Sequence, residues 1–263
     1  MMNFTDVHSH VLWGVDDGVR TKEEASMCLR TANEEGINRL FVTPHVIPGK
    51  TDASEILDMK LRFSELLKMA SEYSIELYSG CELMINRYML EWIRLGLFSF
   101  LGNSKYLLCE FDPRHDIENL EDAEEMLYEI TIRGIIPVIA HAERAFHGKV
   151  NLQRVREWTE MGCVIQINRS SIIGLHGKTP KANAFTLLDA GLCHLIGSDA
   201  HEAEGRRVLK LRDSYNVILK KYGSESASIL FVDNPQNLIL GNDMQDIKLK
   251  KRFSPFGRRY KNL

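Results

Sequence analysis

Seven short apolar runs punctuate the chain, and most are separated by a segment of helical periodicity. The runs are "NFTDVHSH" near the start, "INRLFVTPH" from Ile37, "IELYSGCEL" from Ile75, "KYLLCEF" from Lys105, "IIPVIAH" from Ile135, "CVIQIN" from Cys163 and "CHLIGSDAH" from Cys193. Between them the pattern predicts helices over Thr21 to Glu35, Asp52 to Tyr73, Ile117 to Arg133, Leu152 to Met161 and Pro180 to Ala190, four of them stopped by Gly36, Gly134, Gly162 and Gly191. A glycine past the last helical residue takes the left-handed conformation that ends a helix, and strand-helix alternation specifies βα units on a parallel sheet. No glycine-rich GxGxxG loop follows the first run. The expectation is therefore an α/β fold closed, or nearly closed, into a distorted seven-stranded (β/α)7 TIM-like barrel, not an open doubly wound sheet. A further helix is expected from beyond Arg206 to about Tyr222, followed by a short helix and a packed terminal segment within "SESASILFVDNPQNLILG".

The ends of these runs carry the chemistry. They finish in His8 and His10, in His45, Glu82, Glu110 and His141, and in Asp199 with His201. Barrel enzymes place their functional groups on the C-terminal ends of strands. One such histidine would be unremarkable; recurrence on six runs is not. Imidazoles and carboxylates in this proportion suit divalent manganese, zinc or iron, and their number exceeds what one four-coordinate ion can use, so two or three ions are expected, with Glu82 able to bridge. His8 and His10, two apart on an extended segment, share a face. In the following "DDG", Asp17 is the expected ligand and Asp16 could equally stabilise the turn. His115, His147, His176 and His194 lack this placement and are read as non-ligands.

Composition limits the remaining possibilities. The 263 residues allow one sizeable core, and a net charge of -3 with 26% charged residues gives no global field favouring nucleic acid. The five cysteines form no CxxC pair, which fits a reducing compartment, and no signal peptide or spanning segment is visible, so a cytoplasmic protein without membrane insertion is expected. One domain over residues 1–242 is expected, with a basic extension over 243–263 whose cationic run starts at Lys248 and is read as mobile.

Taken in order, "DVHSHVLWGVDDG", "VTPH", "GCEL", "CEF", "VIAHAER" and "IGSDAH" resemble the polymerase and histidinol phosphatase (PHP) superfamily. The similarity is greatest to its bacterial manganese-dependent protein-tyrosine phosphatases of capsule and exopolysaccharide synthesis, and it covers about Phe4 to Leu240. The resemblance implies a distorted barrel with three metal ions. One would be held by His8, His10, Glu82 and Asp199, a second by Glu82, Glu110 and His141, and a third by Asp17, His45 and His201. It implies that Arg144 and Arg206 hold the substrate phosphate, that hydroxide formed at the metals attacks phosphorus without a covalent enzyme intermediate, and that the substrate is a phosphotyrosine protein, in particular the C-terminal tail of a bacterial tyrosine kinase. In one loop the chain departs from that pattern: "HVIPGKTD" carries Lys50 as its only base.

Four rival readings remain. "CELMINR" and "CVIQINR" both match the C-x5-R spacing of cysteine-dependent phosphatases, yet neither offers the glycine-rich, thiol-acidifying phosphate loop that such chemistry requires. An amidohydrolase-like enzyme would want a bridging lysine where Glu82 and Glu110 stand. A phosphoesterase of the same superfamily acting on a small monoester such as histidinol phosphate would use the same ligands. A non-catalytic, metal-stabilised scaffold would close its site with four ligands, whereas this set leaves positions open.

Overall fold

The computed structural model describes residues 3–247. In chain order the strands are β1 (Phe4–Asp6), β2 (Ile37–Val42), β3 (His45–Val46), β4 (Glu76–Ser79), β5 (Glu82–Ile85), β6 (Tyr106–Phe111), β7 (Ile136–Ile139), β8 (Val164–Asn168) and β9 (Leu195–Gly197). The helices are α1 (Lys22–Glu35), α2 (Ala53–Ser71), α3 (Met89–Leu95), α4 (Ala123–Thr131), α5 (Leu152–Glu160), α6 (Arg169–Ile173), α7 (Lys178–Asp189), α8 (Arg212–Tyr222), α9 (Ser224–Ser228) and α10 (Asn234–Leu240). The seven apolar runs thus appear as nine strands, because two of them break: β2 gives way to β3 across Thr43 and Pro44, and β4 to β5 across Gly80 and Cys81. Proline has no N–H to give to a ladder. All pairings are parallel, in the orders β1-β2-β4 and β3-β5-β6-β7-β8-β9, and a parallel bridge between Ser9 and Ala200 links the segments that follow β1 and β9. The sheet is curled and wrapped by helices.

Strand alternation sorts the core. Tyr106 and Leu108 of β6, Val138 of β7, Val164 of β8 and Leu195 of β9 pack with Val7 and Phe41 in one cluster, while Leu107, Cys109, Ile139, Ile165, Ile167 and Ile196 turn to a larger one that includes the helices. Burial on both faces is what parallel strands require. Capping follows the sequence at both ends of α1 and at the start of α2: Thr21 accepts from the Glu24 N–H, Gly36 closes α1, and Asp52 with Glu55 forms a reciprocal capping box on α2. The segment expected as one helix from Ile117 is instead a single turn at Ile117–Asn119 followed by α4. The terminal segment is helical throughout, α9 running through a π-turn at Ile229–Asp233 into α10. At the start of the expected extension, Asn234 pins Gln245 through both its amide and carbonyl, and Ile247 is buried. The basic run from Lys248 lies outside the described residues.

Candidate metal centre

The alternation that fills the inner cluster also delivers its polar end. Continuing past Tyr106 and Leu108, Glu110 falls on the same face of β6; Glu82 opens β5, and His45 opens β3 in register with it. His8 and His10 follow β1 with Nε2 atoms 3.1 Å apart, on one side as the i, i+2 spacing requires. Two residues reach the site through strained backbone: His141 has φ 34° and Asp199 φ 53°, left-handed values that cost energy outside glycine and gather where function demands them. Glycine serves close approach at two places. A Cβ on Gly18 would lie 2.3 Å from the His10 carbonyl oxygen, and one on Gly197 would lie 2.8 Å from the His8 Cβ.

Seven of the nine expected ligands fall into overlapping sets whose donor atoms lie within 4.8 Å of one another: His8, His10 and Glu82; His45, Glu82 and Glu110; and His10, Asp17, His45 and His201. Of the other two, Asp199 places Oδ1 3.5 Å from His8 Nε2 and 3.6 Å from His10 Nε2. His141 adjoins the second set, Nε2 lying 3.0 Å from Glu82 Oε1 and 3.7 Å from Glu110 Oε2. Asp17, His45 and His201, the three expected around one ion, stand in one set, which also includes His10, and His45 lies beside Glu82 and Glu110 as well. His115, His147, His176 and His194 belong to none of these sets. Asp16 has two tasks, its Oδ2 accepting from the His45 backbone N–H and lying 2.8 Å from His10 Nδ1, its Oδ1 accepting from Gly18.

Glu82 Oε2 sits 3.2 Å from His8 Nε2, 3.1 Å from His10 Nε2 and 3.2 Å from His45 Nδ1, yet neither it, His45 Nδ1 nor His201 Nε2 makes a hydrogen bond of acceptable geometry. Folded proteins in general pair the great majority of their buried polar atoms. Lone pairs that crowd together without pointing at one another are aimed at common points between them, which is the arrangement a divalent cation fits. Electrostatics agree. Burial opposes charge on His45, but Glu82, Asp17 and Glu110 push it up to about 12; burial and His45 oppose charge on His10, but Asp16 and Glu82 push it up to about 9. Against burial, His8 and His45 hold Glu82 well below the usual carboxylate range, and hydrogen bonds to His201 and His45 do the same for Asp17. Protonated imidazoles are the counter-charge here, and bound cations would replace those protons.

Around the donors lies a shell that the run-end pattern does not reveal. Gln166 Oε1 lies 3.1 Å from His8 Nδ1 and accepts from the His141 N–H; Gln166 Nε2 donates to Asn168 Oδ1, and Asn168 Nδ2 donates to Asp199 Oδ2 at 2.6 Å. The signal was available: Gln166 and Asn168 alternate with Val164 on the inward face of β8. Arg144 Nη1 donates to Asp199 Oδ2 at 3.2 Å. Arg206, the second arginine expected at the phosphate, is exposed, and its neighbour Arg207 donates to Asp199 Oδ1 at 2.9 Å and lines the cavity of about 480 Å³ above the donors with Arg144. Glu202 accepts from the backbone N–H of both arginines after the turn at Gly205, and this turns Arg207 inward.

Neither C-x5-R match forms a phosphate loop. Burial pushes the Cys81 and Cys163 thiols up to about 12, and Arg169 is committed to Asp213. Residues 4–240 match the profile of the family described as capsular polysaccharide synthesis, CpsB/CapC.

The chain belongs to the CpsB/CapC family.

Among its relatives, the tyrosine-protein phosphatase CpsB of Streptococcus pneumoniae is 32% identical over 242 residues, covering 89% of this chain and 98% of that one. The crystal structures of YwqE from Bacillus subtilis and CpsB from Streptococcus pneumoniae, described as unique metal-dependent tyrosine phosphatases, superpose with a TM-score of 0.81 at 27% identity, covering 92% of this chain and 96% of the other. The β-aspartyl dipeptidase of Fervidobacterium islandicum AW-1 aligns over 90% of this chain and 72% of its own with a TM-score of 0.56 at 13% identity, a likeness of fold alone. CpsB/CapC membership thus joins the donor cluster to a family whose characterised members carry a phosphatase name.

Proposed function

We propose that this CpsB/CapC protein is a metal-dependent protein-tyrosine phosphatase acting on a phosphotyrosine protein, the tail of a bacterial tyrosine kinase of capsule synthesis being the substrate expected from the family. The observation that carries the reading is the convergence of Glu82 Oε2 with three imidazole nitrogens beneath a cavity edged by Arg144 and Arg207. His8, His10, Glu82 and Asp199 would hold one ion, Glu82, Glu110 and His141 a second, and Asp17, His45 and His201 a third, with manganese the best match and iron or zinc the substitutes. Divalent ions, when bound, supply Lewis acidity and water of near-neutral pKa. The chain's own residues do the rest. Arg144 and Arg207, each with N–H donors beyond the one given to Asp199, fork onto the phosphate oxygens, and Asn168 and Gln166 fix Asp199 and His8 in the ligating orientation.

The same reading takes the two sheets as one distorted seven-stranded barrel, β2 with β3 and β4 with β5 forming single bent staves and the Ser9–Ala200 bridge closing first to last. Five unpaired, buried cysteines favour the cytoplasm. The test is a metal analysis of the purified protein paired with turnover of phosphotyrosine, phosphoserine and histidinol phosphate. Chelation should abolish the phosphotyrosine rate and manganese restore it; activity that survives chelation, or that falls on histidinol phosphate alone, refutes the assignment.

A further inference from the structure

Beside the metal cavity lies a second of about 710 Å³, and the two share Ile47, Lys50, Met84, Asp112 and Arg114 in their walls. A small phosphomonoester needs only the first. The larger one is built from the loops after β3, β5 and β6 and from the start of α4. Its apolar surface comes from Met84, Phe111, Leu120 and Met126, and its rim carries Arg87, stacked on the exposed ring of Tyr88 with the guanidinium carbon 4.8 Å from the ring centroid. Charge within it is balanced in number, Lys50, Arg87 and Arg114 against Asp112, Asp116 and Asp122, but unevenly committed. Asp112 is committed to Arg114, accepting at 2.8 Å from Nε and at 3.0 Å from the backbone N–H, and Asp116 caps the Ile117 turn. Arg114 is thus paired, whereas Lys50 and Arg87 form no ion pair among the described residues.

Resting on the phosphotyrosine reading, we propose that this groove binds the polypeptide flanking the phosphotyrosine, seating an apolar side chain on Met84, Phe111 and Met126 and an acidic one at Arg87 and Lys50. Its continuity with the metal cavity lets one extended chain occupy both. An apolar lining with a few placed charges gives a site both affinity and selectivity. Basic residues that the "HVIPGKTD" loop lacks are thereby supplied from the loop after β5.

The experiment uses the full chain loaded with manganese, two phosphotyrosine peptides alike except for glutamate or lysine flanks, and p-nitrophenyl phosphate as a reference too small to reach the groove. Wild type should prefer the glutamate-flanked peptide by about fivefold or more in kcat/KM, the scale of an exposed charge pair, with the difference in KM. Arg87→Glu, a surface change, should erase or invert that preference while the p-nitrophenyl phosphate rate stays within about twofold. Met126→Glu should weaken both peptides. Equal turnover of the two peptides by wild type, or a preference that survives Arg87→Glu, overturns the groove. Peptide binding by fluorescence anisotropy separates this from failure of the underlying reading: charge-dependent binding without hydrolysis removes the phosphatase assignment and leaves the groove, whereas hydrolysis indifferent to flanking charge does the reverse.

Discussion

The polar groups around His194 and those of the donor cluster, at opposite ends of the strands, are treated in different ways. At the N-terminal end of β9, His194 Nδ1 accepts from the Ile165 N–H, Asn234 Nδ2 donates to the His194 carbonyl, and Tyr106 Oη donates to the Asn242 carbonyl. Each group is satisfied within the protein. At the C-terminal end, Glu82 Oε2, His45 Nδ1 and His201 Nε2 are buried and unpaired, and the backbone is strained at His141 and Asp199. Leaving one buried polar group unsatisfied costs roughly 1–3 kcal/mol. The groups around His194 serve stability; the donor cluster sacrifices stability that bound ions would return, and substitutions at the two places should therefore read out in different assays.

The largest effect is expected at Glu82, the carboxylate common to two donor sets. Glu82→Gln keeps the shape and removes the charge; with several kcal/mol of transition-state stabilisation resting on the ions, turnover of a phosphotyrosine peptide should fall about 10³-fold or more. Metal content should fall with it. A folded variant, checked by circular dichroism, that keeps its ions and its rate would break the contrast between the ends. Next in size is Arg207→Ala, which removes charged hydrogen bonds worth about 1.5–3 kcal/mol each and should lose roughly 10- to 100-fold in kcat/KM. Its neighbour supplies the control. Arg206→Ala should stay within about twofold, since single changes of exposed residues seldom exceed a few tenths of a kcal/mol; the opposite order of the two variants would restore the inference drawn from sequence position.

That pair shows where sequence ran out. The βα alternation was legible, and eight of the nine expected ligands were marked out because each is tied to a run end, Asp17 coming from the turn after the first run; a strand's period of two sends run-end residues to one face. Seven runs became nine strands because the breaks at Thr43 and Pro44 and at Gly80 and Cys81 leave the hydropathy pattern continuous. Whether Arg206 or Arg207 turns inward depends on one loop, where Glu202 gathers two N–H groups, and no periodic pattern encodes that. Gln166 and Asn168 were visible as polar residues on an inward strand face but carry no charge to mark them as functional. The groove beside the metal cavity draws its wall from four separate stretches of chain, and only folding brings them together.

Asn168 sharpens the comparison at a smaller scale. It touches no expected substrate position and acts through Asp199, whose Oδ2 it holds at 2.6 Å, so it is a positioning residue. Asn168→Ala should raise the manganese concentration needed for half-maximal activity by about 10-fold, at the lower edge of what supporting residues of metal ligands contribute. At saturating manganese most of kcat should return. A loss of kcat that added metal leaves unchanged would place Asn168 in the chemistry instead.

The smallest effect belongs to the satisfied end and appears in stability alone. His194 Nδ1 can accept the Ile165 N–H only when it carries no proton, and burial holds the ring's pKa below its ordinary 6.5 although Asp246 pulls the other way. The unfolded chain then takes up the proton more readily than the folded one. The stability this histidine contributes is accordingly complete above pH 6.5 and is lost as pH falls from there through the lower folded value, at no more than about 1.4 kcal/mol per pH unit for one proton. His194→Asn keeps an acceptor near the Nδ1 position without the titration. Urea midpoints of wild type and variant, both chelated so that the metal ligands contribute equally, should converge as pH is lowered from 7 to 5, while the manganese-loaded variant at neutral pH keeps its phosphotyrosine rate within about twofold, as a site remote from the chemistry should. Midpoints that fall in parallel across that range would take His194 out of the pH response, and a variant that loses activity with its stability intact would dissolve the separation between the two ends.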